Sequence, residues 1–247
     1  MTPNDQATPS SRADLHCHST ASQISKLGVQ RSAGLPECAT PPEEVYELAK
    51  RRGMDFVTIT DHDTIDGALE IAHLPGTFVS EELTASFPGE PQAVHVLCFD
   101  ITPDDHEWLQ AHSRSVEECA EYLHGNEIAC ALAHPFYAVA APLEPRHRRR
   151  LADLFGVWEV RNGSRAAELN QPAALYVDKD ARRFGHHCVS DVLHHEREAR
   201  TRGDGERFRA APNRALQRNG SREFVFHLNE HAPNCGNSRR EPLHHFS

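Results

Sequence analysis

The chain has 247 residues, of which 26 are Lys or Arg, 36 are Asp or Glu and 18 are His, so its formal net charge is −10 with His counted as neutral. This length suits one large domain or two small ones. The acidic balance argues against a general nucleic-acid-binding protein, which needs a positive surface to replace counterions on phosphates. Histidine is the unusual component. Because imidazole is the commonest protein ligand for metals, the positions of the histidines decide the interpretation.

The sequence indicates neither a secretion signal nor a membrane partner. The first residues lack a basic segment followed by an apolar one, and apolar runs such as 128–133 are far shorter than the roughly 20 residues of a membrane span. The seven cysteines are scattered and form no C-x-x-C pair. Such a set is typical of a reduced protein of the cytoplasm. We therefore expect a cytoplasmic location.

Charge and composition divide the chain into two parts. Residues 1–180 are strongly acidic, whereas 181–247 are basic, rich in Arg and His and poor in apolar runs. We expect a disordered N-terminus over 1–11, a folded domain over 12–180 that extends to about residue 195, and a tail over 196–247. The tail composition is typical of a disordered extension, and equally of sequence translated from a shifted reading frame.

Strand and helix signals alternate through the first part. Apolar patterns predict strands over 13–18, 56–60, 77–83, 93–99, 128–133 and 157–160. Helices are predicted from a Thr40 cap to Gly53, over 65–72 with Asp63 as cap, over 102–124 and over 166–176. Repeated strand-then-helix order implies a parallel sheet, either open or closed into a barrel.

Polar residues gather where these predicted strands end. In β/α barrels the carboxyl ends of the strands carry the active site, because the loops that follow them converge there. His95 differs from the others, since it lies inside an apolar strand. The remaining histidines of the first part fall on or beside predicted helices, where we expect them at the surface. The candidate residues are His16, His18, Asp61, His62, Glu82, His95 and His134.

Histidine and carboxylate side chains together are suited to a divalent-metal site. They bind Zn, Mn or Fe, and a carboxylate can bridge two ions. Two or three ions close together can activate a shared hydroxide at neutral pH and hold the oxygens of a phosphate during in-line attack. No covalent protein nucleophile is then needed.

Three motifs carry a family resemblance. DLHCHS at 14–19, VTITDHD at 57–63 and AHP at 133–135 resemble the PHP (polymerase and histidinol phosphatase) superfamily over about residues 12–165. The resemblance implies a distorted seven-stranded (β/α)7 barrel of PHP type, followed here by an irregular tail. It also implies a phosphatase with two or three divalent ions (Mn, Zn, Fe or Mg). Its substrate would be a small phosphorylated metabolite or nucleotide, hydrolysed by a metal-bridging hydroxide.

The resemblance also implies roles for single residues. His16 and His18 would bind the first ion, and His95 and His134 would complete the shell of the second. Glu82 would bridge the ions, with Glu81 as a rival. His62 would bind a third ion, with Asp61 beside it in a catalytic or ligating role. Ser19, in the first motif, would contact the substrate.

Two departures from the family pattern concern the completeness of the site. Gln23 stands where members with a third metal often have Asp or His. The family closes its site with Gly-Ser-Asp-x-His, whereas 189–194 reads VSDVLH, which is one residue too long. Asp191 would then be a metal ligand, and His194 a donor of the leaving-group proton.

Phosphate recognition favours a guanidinium or ammonium group near the metals. Arg161 directly follows the predicted strand 157–160, at the expected edge of the sheet. Lys26 and Arg31 lie in the long loop after the first motif, which would fold over the site.

Two other functions stay open at this point. The incomplete closing motif favours a degenerate PHP domain that binds metal weakly and serves as an accessory or interaction module. A barrel amidohydrolase also begins with His-x-His on its first strand. Such enzymes often use a barrel lysine, and no lysine of this chain lies at a convincing strand end.

Overall fold

The computed structural model describes residues 11–22, 38–163 and 167–179, which form a mixed α/β structure. Its strands are β1 (Ala13–Asp14), β2 (Phe56–Val57), β3 (Ser80–Ser86), β4 (Ala93–Phe99) and β5 (Ala129–Leu132). Its helices are α1 (Pro42–Arg51), α2 (Asp66–Ile71), α3 (Pro103–His112), α4 (Val116–Gly125), α5 (Pro145–Leu154) and α6 (Ala167–Lys179). The predicted tail 196–247 and residues 1–10 lie outside the described residues.

The strands form two sheets that differ in direction. β1 and β2 are parallel, with Ala13 opposite Phe56. β3, β4 and β5 form an antiparallel sheet in that order. Isolated parallel β-bridges outside these strands join Val57 to Thr77, His62 to Glu82, and Leu132 to Trp158.

The prediction of parallel strands throughout is therefore wrong at β4. The described strands close no barrel, and β3 pairs with β4 in the antiparallel sense. The reason is the link between them: residues 87–92 are enough for a turn, whereas a parallel crossover needs a dozen residues or more. The predicted strand 157–160 is reduced to isolated bridges at Trp158 and Glu159.

Local capping chemistry explains where the helices begin. The predicted helix 102–124 is divided into α3 and α4. Thr102 caps α3 in a reciprocal capping box with Asp105, and the Ser115 hydroxyl accepts from the N–H of Glu118 to begin α4. Pro41, rather than Thr40, occupies the cap position of α1. Asp63 does not cap α2, whose cap position is Ile65, because its Oδ1 accepts the backbone N–H of Thr84 at 2.7 Å instead.

The β3–β4 hairpin separates an apolar core from a polar face. Leu83 and Val96 project into the largest core cluster, which also contains Leu123 of α4, Leu151 of α5 and Trp158. Because side chains alternate along a strand, the neighbouring positions of β3 and β4 face the other way. A second core cluster joins α1 and α2 to β2. No helix in the described segments is long and apolar enough to cross a membrane.

Candidate metal centre

Five imidazole rings surround the carboxylate of Glu82. Three ring nitrogens lie close to its Oε2 atom: His16 Nε2 and His18 Nε2 at 3.2 Å, and His62 Nδ1 at 3.1 Å. The other oxygen, Oε1, lies 3.0 Å from His95 Nδ1 and 2.8 Å from His134 Nε2. The Glu82 side chain is completely buried.

The five histidines reach Glu82 from four different parts of the sheets. His16 and His18 follow β1, and the backbone of His62 forms a parallel bridge with Glu82 itself. His95 lies two residues after the start of β4. Because β4 runs antiparallel to β3, the start of β4 and not its end lies beside the histidines. His134 follows β5 with a φ of 24°, in the left-handed region that a non-glycine residue rarely adopts.

Strand alternation separates the two candidate glutamates. Glu82 projects to the histidine side of β3. Glu81 projects to the helix side, where its Oε2 accepts from His106 Nδ1 at 2.8 Å and from Gln110 Nε2 at 2.9 Å. The structure thus brings Glu82, and not Glu81, to the five histidines.

Burial and the central charge set the protonation of the cluster. Burial raises the pKa of Glu82, but His62, His16 and His95 outweigh it, so that this pKa lies well below its ordinary value. Burial lowers the pKa of His95 to about 4, against the opposing effect of Glu82. Burial likewise lowers the pKa of His18. These two rings are therefore neutral at pH 7, which is the form that binds metals.

The residues present fit divalent ions. Two groups each offer three ligand atoms within 4.8 Å of one another: His16–Glu82–His134 and His18–His62–Glu82. The buried Oε2 of Glu82 forms no hydrogen bond of acceptable geometry, although three ring nitrogens surround it. Tetrahedral ligands at about 2.1 Å from a metal are about 3.4 Å apart, close to these separations. Glu82 belongs to both groups and is thus placed to connect two ions.

A second buried carboxylate, Glu159, escaped the sequence analysis. Its Oε1 lies 2.9 Å from His16 Nδ1 and 3.0 Å from Asn162 Nδ2, and its Oε2 accepts the backbone N–H of His134 at 2.7 Å. Burial raises the pKa of Glu159, but the charge and hydrogen bond of His16 lower it further, below its ordinary value. The available signal was an acidic residue inside the apolar run Val157–Val160.

Ser19 and Asp61 lie against each other and belong to neither group of possible ligands. The two carboxylate oxygens of Asp61 accept from the backbone N–H and the hydroxyl of Ser19, both at 2.6 Å. The Ser19 hydroxyl is buried and also accepts the N–H of Ala21 at 3.1 Å. The predicted roles of Asp61 in catalysis and of Ser19 in substrate contact stay predictions. This pair joins the loop after β1 to the loop after β2.

The other predicted site residues are less informative. Arg161 is half-buried, two residues beyond Glu159. The other predicted contacts lie outside the described residues: Lys26, Arg31, Asp191 and His194. Gln23, the departure from the family pattern, lies outside them as well. His147, expected at the surface, is instead buried and bonds Glu90 Oε2 through Nε2 at 2.8 Å.

Comparisons with known proteins show the fold but not the family. No family model matches the chain. It is 35% identical over 75 residues to the uncharacterized protein MJ1587 of Methanocaldococcus jannaschii, a match that covers 30% of this chain and 42% of the relative. The chain thus aligns with less than half of that protein.

Two solved structures are similar. One is an amidohydrolase from Chromobacterium violaceum with bound sulfate and no metal, with a TM-score of 0.51 and 17% identity over 68% of this chain and 84% of that one. The other, from Bifidobacterium adolescentis, is assigned as a metal-dependent phosphoesterase. It has a TM-score of 0.44 and 16% identity over 70% of this chain and 85% of that one. At these identities, the similarity to the amidohydrolase shows a shared fold.

Proposed function

We propose that this chain is a metal-dependent phosphoesterase that hydrolyses a small phosphorylated metabolite or nucleotide. The observation that carries the proposal is the cluster of five imidazoles around the two oxygens of Glu82. A purely structural use of these residues is disfavoured, since a single buried carboxylate cannot accept from five rings in good geometry. The motifs at 14–19, 57–63 and 133–135 add the resemblance to phosphoester hydrolases.

Two divalent ions are the cofactors that this cluster suits. His16 and His134 would hold one, His18 and His62 the other, and Glu82 would contribute an oxygen to each. Bound ions supply Lewis-acid stabilisation of phosphate charge and a nucleophile at neutral pH. His95 contacts the same oxygen of Glu82 as His134 does, and its neutral ring keeps that oxygen oriented or adds a ligand. Zinc and manganese both suit this set of ligands.

Further roles follow from the resemblance. Arg161 would contact the phosphate, together with Lys26 and Arg31 from the loop after the first motif. Asp191 would add a bridging carboxylate, and His194 would protonate the leaving group. These roles are tested separately from the metal cluster, by single substitutions of each residue in a metal-loaded protein.

The deciding experiment combines metal analysis with a substrate panel. Purified full-length protein is analysed for bound metals and assayed on phosphomonoesters, nucleotides and phosphodiesters. His16→Ala and Glu82→Ala should each lose more activity than the roughly 10–100-fold typical of an outer-shell substitution. Glu81→Gln is the matched control, since that carboxylate is buried on the same strand but bonds α3 instead. Unchanged turnover by a metal-quantified His16→Ala protein would refute the assignment.

An amidohydrolase activity is the second candidate, favoured by the shared fold. The described lysines do not support it. Lys50 donates to the Asp55 carbonyl just past the end of α1, and Lys179 is exposed at the last position of α6. Hydrolysis of amides or lactones without hydrolysis of any phosphoester would select this function. A purified chain that retains no metal and hydrolyses neither class would indicate an accessory module.

A further inference from the structure

We propose that Glu159 is a positioning residue that orients the ligands of one metal-binding group, His16–Glu82–His134. The ligands of the other group, His18–His62–Glu82, are held by different contacts. The inference rests on the metal binding of the proposed function and concerns how the protein orients its own ligands. It predicts that the two ions can be lost separately.

Glu159 joins two ligands that are far apart in the chain. One carboxylate oxygen lies 2.9 Å from His16 Nδ1, across a separation of 143 residues, and the other accepts the backbone N–H of His134 at 2.7 Å. Asn162 donates from Nδ2 to the first oxygen at 3.0 Å. Both histidines belong to the same group of possible ligands.

The contact with His16 determines which ring nitrogen faces the metal group. An ionised carboxylate accepts hydrogen bonds and donates none, so His16 must carry its proton on Nδ1. In the neutral ring, the lone pair is then on Nε2, which is the atom 3.2 Å from Glu82 Oε2. A carboxylate behind a ligating histidine commonly fixes the ring and raises its basicity in this way.

The contact with His134 acts through the backbone. His134 has a φ of 24° and precedes a proline, an unfavourable conformation that neighbouring contacts must maintain. The hydrogen bond from its N–H to Glu159 is one such contact. In this conformation the ring reaches Glu82, with Nε2 at 2.8 Å from Oε1.

The other group has its own support. The hydroxyl of Ser22 accepts the backbone N–H of His62 at 3.1 Å and lies 3.4 Å from His18 Nδ1. In the part of the chain that the structure describes, no hydrogen bond joins Glu159 to His18 or His62. The two groups thus share Glu82 but have different outer contacts.

Glu159→Gln tests the contacts with His16 and His134, because it removes one acceptor oxygen and hardly changes the volume of the side chain. The amide oxygen can accept from His134 N–H or from His16 Nδ1–H, but not from both. If it keeps His134, the amide NH2 faces His16 Nδ1 and forces the ring proton onto Nε2, where it blocks metal binding. If it keeps His16, the NH2 opposes the His134 N–H. Either arrangement damages the same group.

The test titrates Zn²⁺ into the metal-stripped full-length chain by calorimetry. We expect two binding events in the wild type, and in Glu159→Gln one event weakened about 10–100-fold with the other unchanged. Glu81→Gln, a buried Glu with a His partner on α3, should bind as the wild type does. Nitrogen-15 spectra of the imidazoles should show the proton of His16 on Nδ1 in the wild type, and its displacement or loss of order in Glu159→Gln.

Each outcome decides a specific point. If Glu159→Gln binds both Zn²⁺ ions with the affinities of the wild type, this inference is overturned and the proposed function stays intact. If both binding events are weakened equally, the separation of the two groups is overturned. A wild-type chain that takes up no Zn²⁺ would overturn the proposed function and this inference with it. If Glu159→Gln fails to fold, the wild-type spectrum still decides, because a His16 Nδ1 atom that carries no proton contradicts the proposed orientation.

Discussion

Replacing Gly67 with alanine should destabilise the protein through the Ser19–Asp61 pair. Gly67 lies in α2, buried against that pair. A Cβ atom at this position would lie 2.2 Å from Asp61 Oδ2 and 2.5 Å from Ser19 Oγ. These separations are far below van der Waals contact, so the carboxylate or the hydroxyl must move. The Gly67→Ala protein therefore loses hydrogen bonds that the wild type has.

The expected magnitude follows from opposing effects. Alanine in a helix is favoured over glycine by about 1 kcal/mol. Each of the two hydrogen bonds to the ionised carboxylate of Asp61 contributes about 1.5–3 kcal/mol. Displacing both gives a net loss of about 2–5 kcal/mol, a large part of the roughly 5–15 kcal/mol that stabilises a typical domain. The carboxylate would remain buried without Ser19, because Asp61 is 1% exposed.

Urea unfolding of the full-length protein measures this loss directly. Gly125→Ala is the matched control, since Gly125 ends α4 and nothing lies within 4 Å of its added Cβ. It should not lower the free energy of unfolding. In an Asp61→Ala background, the cost of Gly67→Ala should fall, because the obstructing carboxylate is gone. A Gly67→Ala protein as stable as the wild type, or an equal cost in both backgrounds, would refute the reasoning.

Three further predictions concern metal, pH and burial. Zn²⁺ at about 100 times its Kd should raise the free energy of unfolding by about 2.7 kcal/mol, and an unchanged Tm after chelation would contradict metal binding by the native state. The hydrogen bond to Glu81 raises the pKa of His106, so the stability from this pair is present below the unfolded pKa of 6.5 and lost as pH rises through the folded value. His106→Gln should remove that part of the pH dependence above about pH 6.5, and an identical profile in the variant would contradict it. His147→Ala should lower Tm more than Arg146→Ala, because His147 is buried and bonds Glu90 whereas Arg146 is exposed; equal shifts would show that the buried ring adds no stability.

Local patterns in the sequence predicted the positions of most elements and the main cluster. β4 matches the predicted strand 93–99, because its apolar residues are continuous and a turn precedes it. The five histidines and Glu82 come together because each follows or interrupts a strand, so their proximity results from sheet geometry.

The errors arose where a partner distant in sequence decides the outcome. The direction of β4 was misjudged because the strand–helix rhythm was extended across a link that is only a turn. Glu159 was overlooked because its partners, His16 and the His134 backbone, are 143 and 25 residues away. His147 is buried because Glu90, 57 residues earlier, supplies its hydrogen bond.

The contact between His16 and Glu159 has a consequence for biosynthesis. A chain emerging from the ribosome exposes His16 and His18 long before residues 134–162 have been made. The histidines therefore spend the early part of synthesis without the carboxylate that orients one of them and without the last ligand of that group. Contacts of such long sequence separation form late in folding. High-affinity metal loading of this group is thus confined to chains that have been made at least to Asn162, whereas the residues of the other group, His18, His62 and Glu82, are all present in much shorter nascent chains.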